Sequence, residues 1–213
     1  MTTLALFGTS ADPPTAGHQE ILRQLSYQYD QVIAWASDNP LKTDQTPLEH
    51  RATMLQLLIS HIEPHRDNIH CRQDLSYPRT LHTIQQVRQE WSDADLTLVV
   101  GADLIQQLPC WYQVQTLLQQ IKLLIVPRNT YTINPEDIDR LRQLGTEVAI
   151  AQFESLPFSS TAYRQAQLQG QQGRSQRDDH EQPASSDDSA SSALGIIPPV
   201  HAYIVRERLY HQS

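Results

Sequence analysis

The chain has 213 residues, 39% hydrophobic and 19% charged, with a formal net charge of -8. That is enough for one domain with a sizeable core, and the wrong sign for a protein that wraps nucleic acid or lies on an anionic membrane. No stretch approaches the roughly 20 apolar residues of a membrane span, and MTTLALFG lacks the basic start and long apolar run of a signal peptide, so a cytoplasmic protein is expected.

Short apolar runs recur at Leu4 to Phe7, Val32 to Ala36, Leu96 to Val100, Leu123 to Val126 and Val148 to Ala151. They read as buried parallel strands. Stretches of helical period lie between them at His18 to Tyr27, Leu48 to Ile62, Leu81 to Trp91, Gln113 to Gln120 and Pro135 to Leu144. Strand alternating with helix predicts a doubly wound, parallel α/β sheet in one domain, residues 1–164. From 165 to 193 Gln, Ser, Asp and Gly dominate, which predicts a disordered insert. Residues 194–213 then regain a helical pattern, with Pro198 and Pro199 near its start and Val200, Tyr203, Ile204 and Leu209 on one apolar face that should dock on the same core.

In such a sheet, ligands sit outside the carboxyl ends of the strands, and the polar signatures fall there. The first strand leads into GTSADPPTAGH (Gly8 to His18), the second into SDNPLK (Ser37 to Lys42) and the third into GAD (Gly101 to Asp103); a later one leads into FSSTAYR (Phe158 to Arg164). A helix opening near Thr15 or Ala16 would aim backbone N–H groups at an anion. Thr15 and His18 share its first turn, and Gly17 admits close approach to the backbone. The alternative is an N-cap threonine followed by a partly exposed histidine. Ser159, Ser160 and Thr161 precede another helix, with Arg164 one turn on, so a second phosphate-sized pocket or plain capping fits that segment.

GTSADPPTAGH resembles the (H/T)xGH signature of the nucleotidylyltransferase superfamily, and FSSTAYR resembles its SSTxxR signature, in the same order and spacing. More narrowly, NPLK (Asn39 to Lys42) resembles the NPPHK segment of bacterial nicotinate-nucleotide adenylyltransferases. GADLIQQLPCWYQ (Gly101 to Gln113) is similar to their GxDxLxxLxxWxx stretch. The resemblance runs from Leu4 to about Arg164 and resumes at IPPVHAYIVRERLY.

This resemblance implies a Rossmann-like nucleotidylyltransferase fold and in-line attack of nicotinate mononucleotide on the α-phosphorus of ATP, releasing pyrophosphate. It implies that His18 donates to the α-phosphate, with Thr15 assisting and Lys42 reaching the phosphates. Gly8, Thr9, Ser10, Gly17 and Ser159 would line the ATP site, while Ser160, Thr161 and Arg164 hold the β and γ phosphates. Mg²⁺ would arrive on the ATP phosphates rather than on protein ligands. Trp111 would stack on the pyridine ring, Thr80 would lie near its carboxylate, and Asp103 and Lys42 would complete the mononucleotide site. The partners implied are ATP and a pyridine mononucleotide, and a homo-oligomer is compatible with the pattern.

The chain departs from the family at Thr15, where the first His usually stands, at Phe7 (often Gly), Ala11 (usually Phe) and Leu41 (often Pro). Its SYPRTL is one residue shorter than SYxxDTL and lacks the Asp. Nicotinamide mononucleotide and phosphopantetheine are alternative acceptors, and a nucleotide-binding regulator that has lost turnover is the alternative of another class. Cys71 and Cys110 lack CxxC spacing and read as packing residues. His61, His65, His70 and Cys71 could suggest a metal, but Pro64 interrupts the helical spacing of the first two and a solvated turn is expected. No P-loop, GxGxxG or GxSxG motif occurs.

Overall fold

A computed structural model describes residues 1–39, 42–128, 131–153, 156–174 and 191–210. Its elements in chain order are β1 (Thr3–Thr9), α1 (Ala16–Gln28), β2 (Gln31–Ala36), α2 (Leu48–Ser60), β3 (Ile69–Cys71), α3 (Thr80–Glu90), β4 (Asp95–Gly101) and α4 (Val114–Leu118). These are followed by β5 (Lys122–Val126), α5 (Pro135–Gln143), β6 (Val148–Ile150), α6 (Ser160–Arg174) and α7 (Pro198–Arg206). The strands form a six-stranded sheet in the order β3-β2-β1-β4-β5-β6, and every pairing is parallel.

Alternation along each strand divides the apolar side chains between two faces. Ala5, Phe7, Val32 and Ala34 pack with Leu22 and Leu25 of α1, Leu55 and Leu58 of α2, and Val200 and Ile204 of α7. Leu4, Leu6, Ile33, Trp35, Leu98 and Val100 pack on the other face with Ile84 and Val87 of α3, Leu117 of α4 and Leu141 of α5. Each fully buried Leu or Ile contributes about 1.5–3 kcal/mol of transfer free energy, so both faces must be covered. The chain moves outward from β1 through β2 to β3, then crosses to β4 and continues the other way to β6. The strand order therefore reverses between β1 and β4, the position at which an open α/β sheet forms a ligand crevice.

The fold departs from expectation at several points. The polar turn after the first strand starts later than its motif, because Gly8 and Thr9 are the last residues of β1, paired with Trp35 and Ala36 of β2. A six-strand sheet also includes β3, three residues at one edge. His70 and Cys71, read as part of a solvated turn, lie in that strand. The stretch expected to be disordered from 165 is helical as far as Arg174, since Ala, Gln, Leu and Arg are good helix formers even without an apolar face, and Tyr163, 1% exposed, anchors the first turn. At its far end Ser191 is buried and begins a packed turn through residue 195; residues 175–190 lie outside the described residues. The C-terminal helix packs on the sheet cluster through Val200, Tyr203 and Ile204, while Leu209 lies beyond it and packs on the same cluster.

Candidate active site

The loop from Ser10 to Thr15 joins β1 to α1 at the carboxyl edge of the sheet. Ala11 takes φ 48° in the left-handed region, so the chain turns there before Thr15 caps α1. Thr15 is fully buried and His18 is 8% exposed. The backbone N–H of Thr15 donates to His18 Nδ1 at 3.0 Å, and the threonine hydroxyl lies 2.9 Å from the same nitrogen. A nitrogen that accepts from a backbone N–H carries no proton, so the neutral ring holds its hydrogen on Nε2. Burial first, and then the charges of Arg128 and Lys42, lower the His18 pKa from its ordinary 6.5 to about 4. His18 is thus a neutral Nε2–H donor with a fixed tautomer.

Around it stand three cations from three different strand ends. Lys42, after β2, donates to Ser10 Oγ at 2.8 Å. Partial burial and the nearby Arg164 and Arg128 lower its pKa, with Asp103 and Asp12 opposing them. Arg128 follows β5, its Nε 3.5 Å from Asp103 Oδ1. That oxygen is buried and has no hydrogen-bond partner among the described residues. Gly101 makes room for it, because a Cβ there would lie 2.4 Å from Oδ1. Arg164, in α6, donates to the Asp12 carbonyl and, at 3.4 Å, to Thr161 Oγ1. Clustered cations of this kind suit a polyphosphate.

Arg51 of α2, 3% exposed, holds the loops together. Its guanidinium donates to the carbonyls of Thr46, Ser10 and Ser37 at 2.8, 2.9 and 2.8 Å. Ser37 N–H in turn donates to the Thr9 carbonyl at 2.7 Å. The first and second strand-end loops are thereby fixed relative to each other.

Some residues expected at the ligand have structural duties. The space where Gly8 would carry a Cβ is filled by the Trp35 ring, 2.7 Å away. Against Gly17 lie the carbonyls of Leu156 and Phe158, each 3.2 Å from a Cβ position, and the first N–H of α1, that of Ala16, is taken by the Gly195 carbonyl at 2.7 Å. What approaches that helix start is protein. Ser159 Oγ accepts the Ala162 N–H as a cap, and Ser160 Oγ donates to the Pro13 carbonyl at 2.8 Å. Capping therefore accounts for Ser159, while Ser160 fastens α6 to the first loop. Thr161 is exposed beside Arg164.

A second group lies across the crevice. Ser76 Oγ donates to the Ala36 carbonyl and accepts the Asp38 N–H, drawing the SYPRTL segment to the end of β2. Thr80 is the first residue of α3. Arg79 Cζ lies 5.4 Å from the Tyr112 ring centroid and His82 is edge-on to the same ring at 6.0 Å, so the segments bearing Thr80 and Trp111 meet. Trp111 itself is partly buried and packs on the core.

Asp12, Arg51, Arg79, Arg128 and Tyr210 were not singled out from the sequence. Arg128 was the most accessible of these, since it stands two residues beyond an apolar strand run, where the other signatures fall. The histidines considered for a metal do not gather: His70 bonds Gln31, His61 bonds the Leu57 carbonyl and His65 pairs with Asp67. Burial pushes the Cys71 thiol up to about 11. Among the described residues no three His, Cys, Asp or Glu side chains gather as cation ligands, and no helix is long and apolar enough to cross a membrane.

Residues 6–166 match the Cytidylyltransferase-like family model. The chain is 39% identical over 223 aligned positions to a Synechocystis protein named "Probable nicotinate-nucleotide adenylyltransferase", covering 98% of this chain and 99% of the other. It belongs to the nicotinate-nucleotide adenylyltransferase family. The family assignment extends to the Bacillus subtilis nicotinate-nucleotide adenylyltransferase, 28% identical over 133 residues that cover 60% of this chain and 70% of that protein. The fold also matches the Plasmodium falciparum nicotinic acid mononucleotide adenylyltransferase solved with NaAD, with a TM-score of 0.77 and 16% identity over 99% of this chain and 98% of that one. The adenylyltransferase fold thus covers the whole described chain, including the C-terminal helix.

Proposed function

We propose that this enzyme transfers the adenylyl group of ATP to nicotinate mononucleotide, forming nicotinate adenine dinucleotide and pyrophosphate. The observation that carries this reading is His18, a neutral Nε2–H donor locked by Thr15 amid Lys42, Arg128 and Arg164. A phosphate oxygen of the mononucleotide attacks the α-phosphorus in line, and the bond to the bridging oxygen of pyrophosphate breaks. No covalent enzyme intermediate is needed, so positioning and charge neutralisation supply the catalysis.

His18 donates to a non-bridging α-phosphate oxygen as negative charge builds there. Thr15 acts through His18, fixing its tautomer and ring position. Arg164 and Thr161 hold the β and γ phosphates and the departing pyrophosphate, and Lys42 and Arg128 neutralise the charge between the two substrates. Mg²⁺ enters with ATP on its phosphates; the cation-rich lining around His18 fits a metal carried by the nucleotide better than one held by carboxylates.

For the acceptor, Asp103 would receive sugar hydroxyls, and Trp111 and Thr80 would flank the pyridine. Arg79 supports an acid over an amide at that ring, because it directly precedes Thr80 and its guanidinium, among the described residues, lies over Tyr112 rather than against a carboxylate. The test is pyrophosphate release from ATP and Mg²⁺ with nicotinate mononucleotide, nicotinamide mononucleotide or phosphopantetheine, each beside His18→Ala. Fast release with nicotinate mononucleotide alone, lost in the variant, is expected; faster release with either rival would replace the acceptor. ATP binding without release from any acceptor would favour the regulator.

A further inference from the structure

The C-terminal segment reaches back into the site through one side chain. After α7 the chain turns, with Leu209 N–H on the Ile204 carbonyl, and Tyr210 donates its hydroxyl to Asp12 Oδ1 at 2.7 Å. Asp12 is 2% exposed. Its other carboxylate oxygen accepts the Thr46 N–H at 3.4 Å and lies 3.9 Å from Arg164 Nη1, and the same guanidinium nitrogen donates to the Asp12 carbonyl. One buried residue thus receives groups from the second loop, from α6 and from the C-terminal turn. The Tyr210 ring stands edge-on to Tyr163, centroids 5.7 Å apart, one residue before Arg164.

We propose that Asp12 and Tyr210 are positioning residues that hold the Arg164 guanidinium where ATP requires it, so that the C-terminal turn completes the nucleotide site. This rests on the reading of Arg164 as a phosphate ligand. Without the tyrosine hydroxyl the buried carboxylate loses a hydrogen bond and can turn toward Arg164, drawing the guanidinium away from the nucleotide. Arg164 grips ground state and transition state alike, so the consequence falls on ATP affinity.

The test is Tyr210→Phe, which keeps the ring against Tyr163 and removes only the hydroxyl, measured by calorimetric MgATP binding alone and in an Arg164→Ala background. We expect binding to weaken by about tenfold in the first background and by less than about twofold in the second, because the tyrosine acts through the arginine. KM for ATP should rise in parallel with kcat and the acceptor KM unchanged, whereas a merely structural loss would reduce active protein without that split. Unchanged ATP affinity, or equal weakening in both backgrounds, overturns the proposal. Wild-type protein that binds MgATP but never releases pyrophosphate refutes the adenylyl-transfer reading and leaves this coupling to be decided by the binding cycle; wild-type protein that binds no MgATP overturns both.

Discussion

Replacing His18 with Ala removes the Nε2–H donor and leaves the Thr15 N–H without its acceptor. The ring is 8% exposed, so its hydrogen bond to a developing phosphate charge would form with little competition from water. Removing one such preorganised donor lowers kcat by about 10²–10³, or about 2.7–4 kcal/mol. The extra charge exists only near the transition state, so KM for ATP should change by less than about threefold. The same geometry fixes the pH dependence. The folded-state pKa of about 4 lies below the ordinary 6.5, so protonation favours the unfolded chain. Its stabilising contribution is fully present above pH 6.5 and is lost as pH falls toward 4, on the order of 3 kcal/mol in all. Stopped-flow pyrophosphate release should therefore show no titration near 6.5 that disappears in His18→Ala, and nitrogen NMR should find the proton on Nε2. A kcat loss below about tenfold, a His18 titration near 6.5, or a proton on Nδ1 would mean that His18 is not a neutral Nε2–H donor to the phosphate.

Arg51→Ala removes a buried cation from three carbonyls and should cost about 3 kcal/mol of stability, read by denaturant unfolding. Gly101→Ala drives a methyl into Asp103 Oδ1; acceptor KM should rise while MgATP binding, followed by calorimetry, stays near the wild-type value. Arg79→Ala should reduce the kcat/KM preference for nicotinate over nicotinamide mononucleotide by about tenfold, the scale of one charge-assisted hydrogen bond.

The middle of the sheet was legible because both faces of β1, β2, β4 and β5 are buried, which writes continuous apolar runs at Leu4 to Phe7 or Leu123 to Val126. β3 was not, because three residues at an edge, with His70 exposed, leave no run to read. The first turn of α6 was legible from its hydroxyls, but the same Gln-rich composition that sustains the helix to Arg174 resembles a solvated linker. At the site, Thr15, His18, Lys42 and Arg164 stood out because helix starts and strand ends have local signatures. Arg51 and Tyr210 did not: one lies on the inner side of α2, the other 198 residues from Asp12, and their roles exist only once the loops have folded onto one another. Gly8 and Gly17 show the converse, since each motif glycine also meets a packing demand, from Trp35 or from neighbouring carbonyls, that no local pattern announces.

The most direct test follows ATP labelled at its α-phosphorus in the presence of Mg²⁺ and nicotinate mononucleotide. Label should appear in nicotinate adenine dinucleotide at one equivalent per pyrophosphate released, and His18→Ala should slow both together. Label recovered as AMP, or retained in ATP while nicotinate mononucleotide is present, would mean that the enzyme does not transfer the adenylyl group to this acceptor.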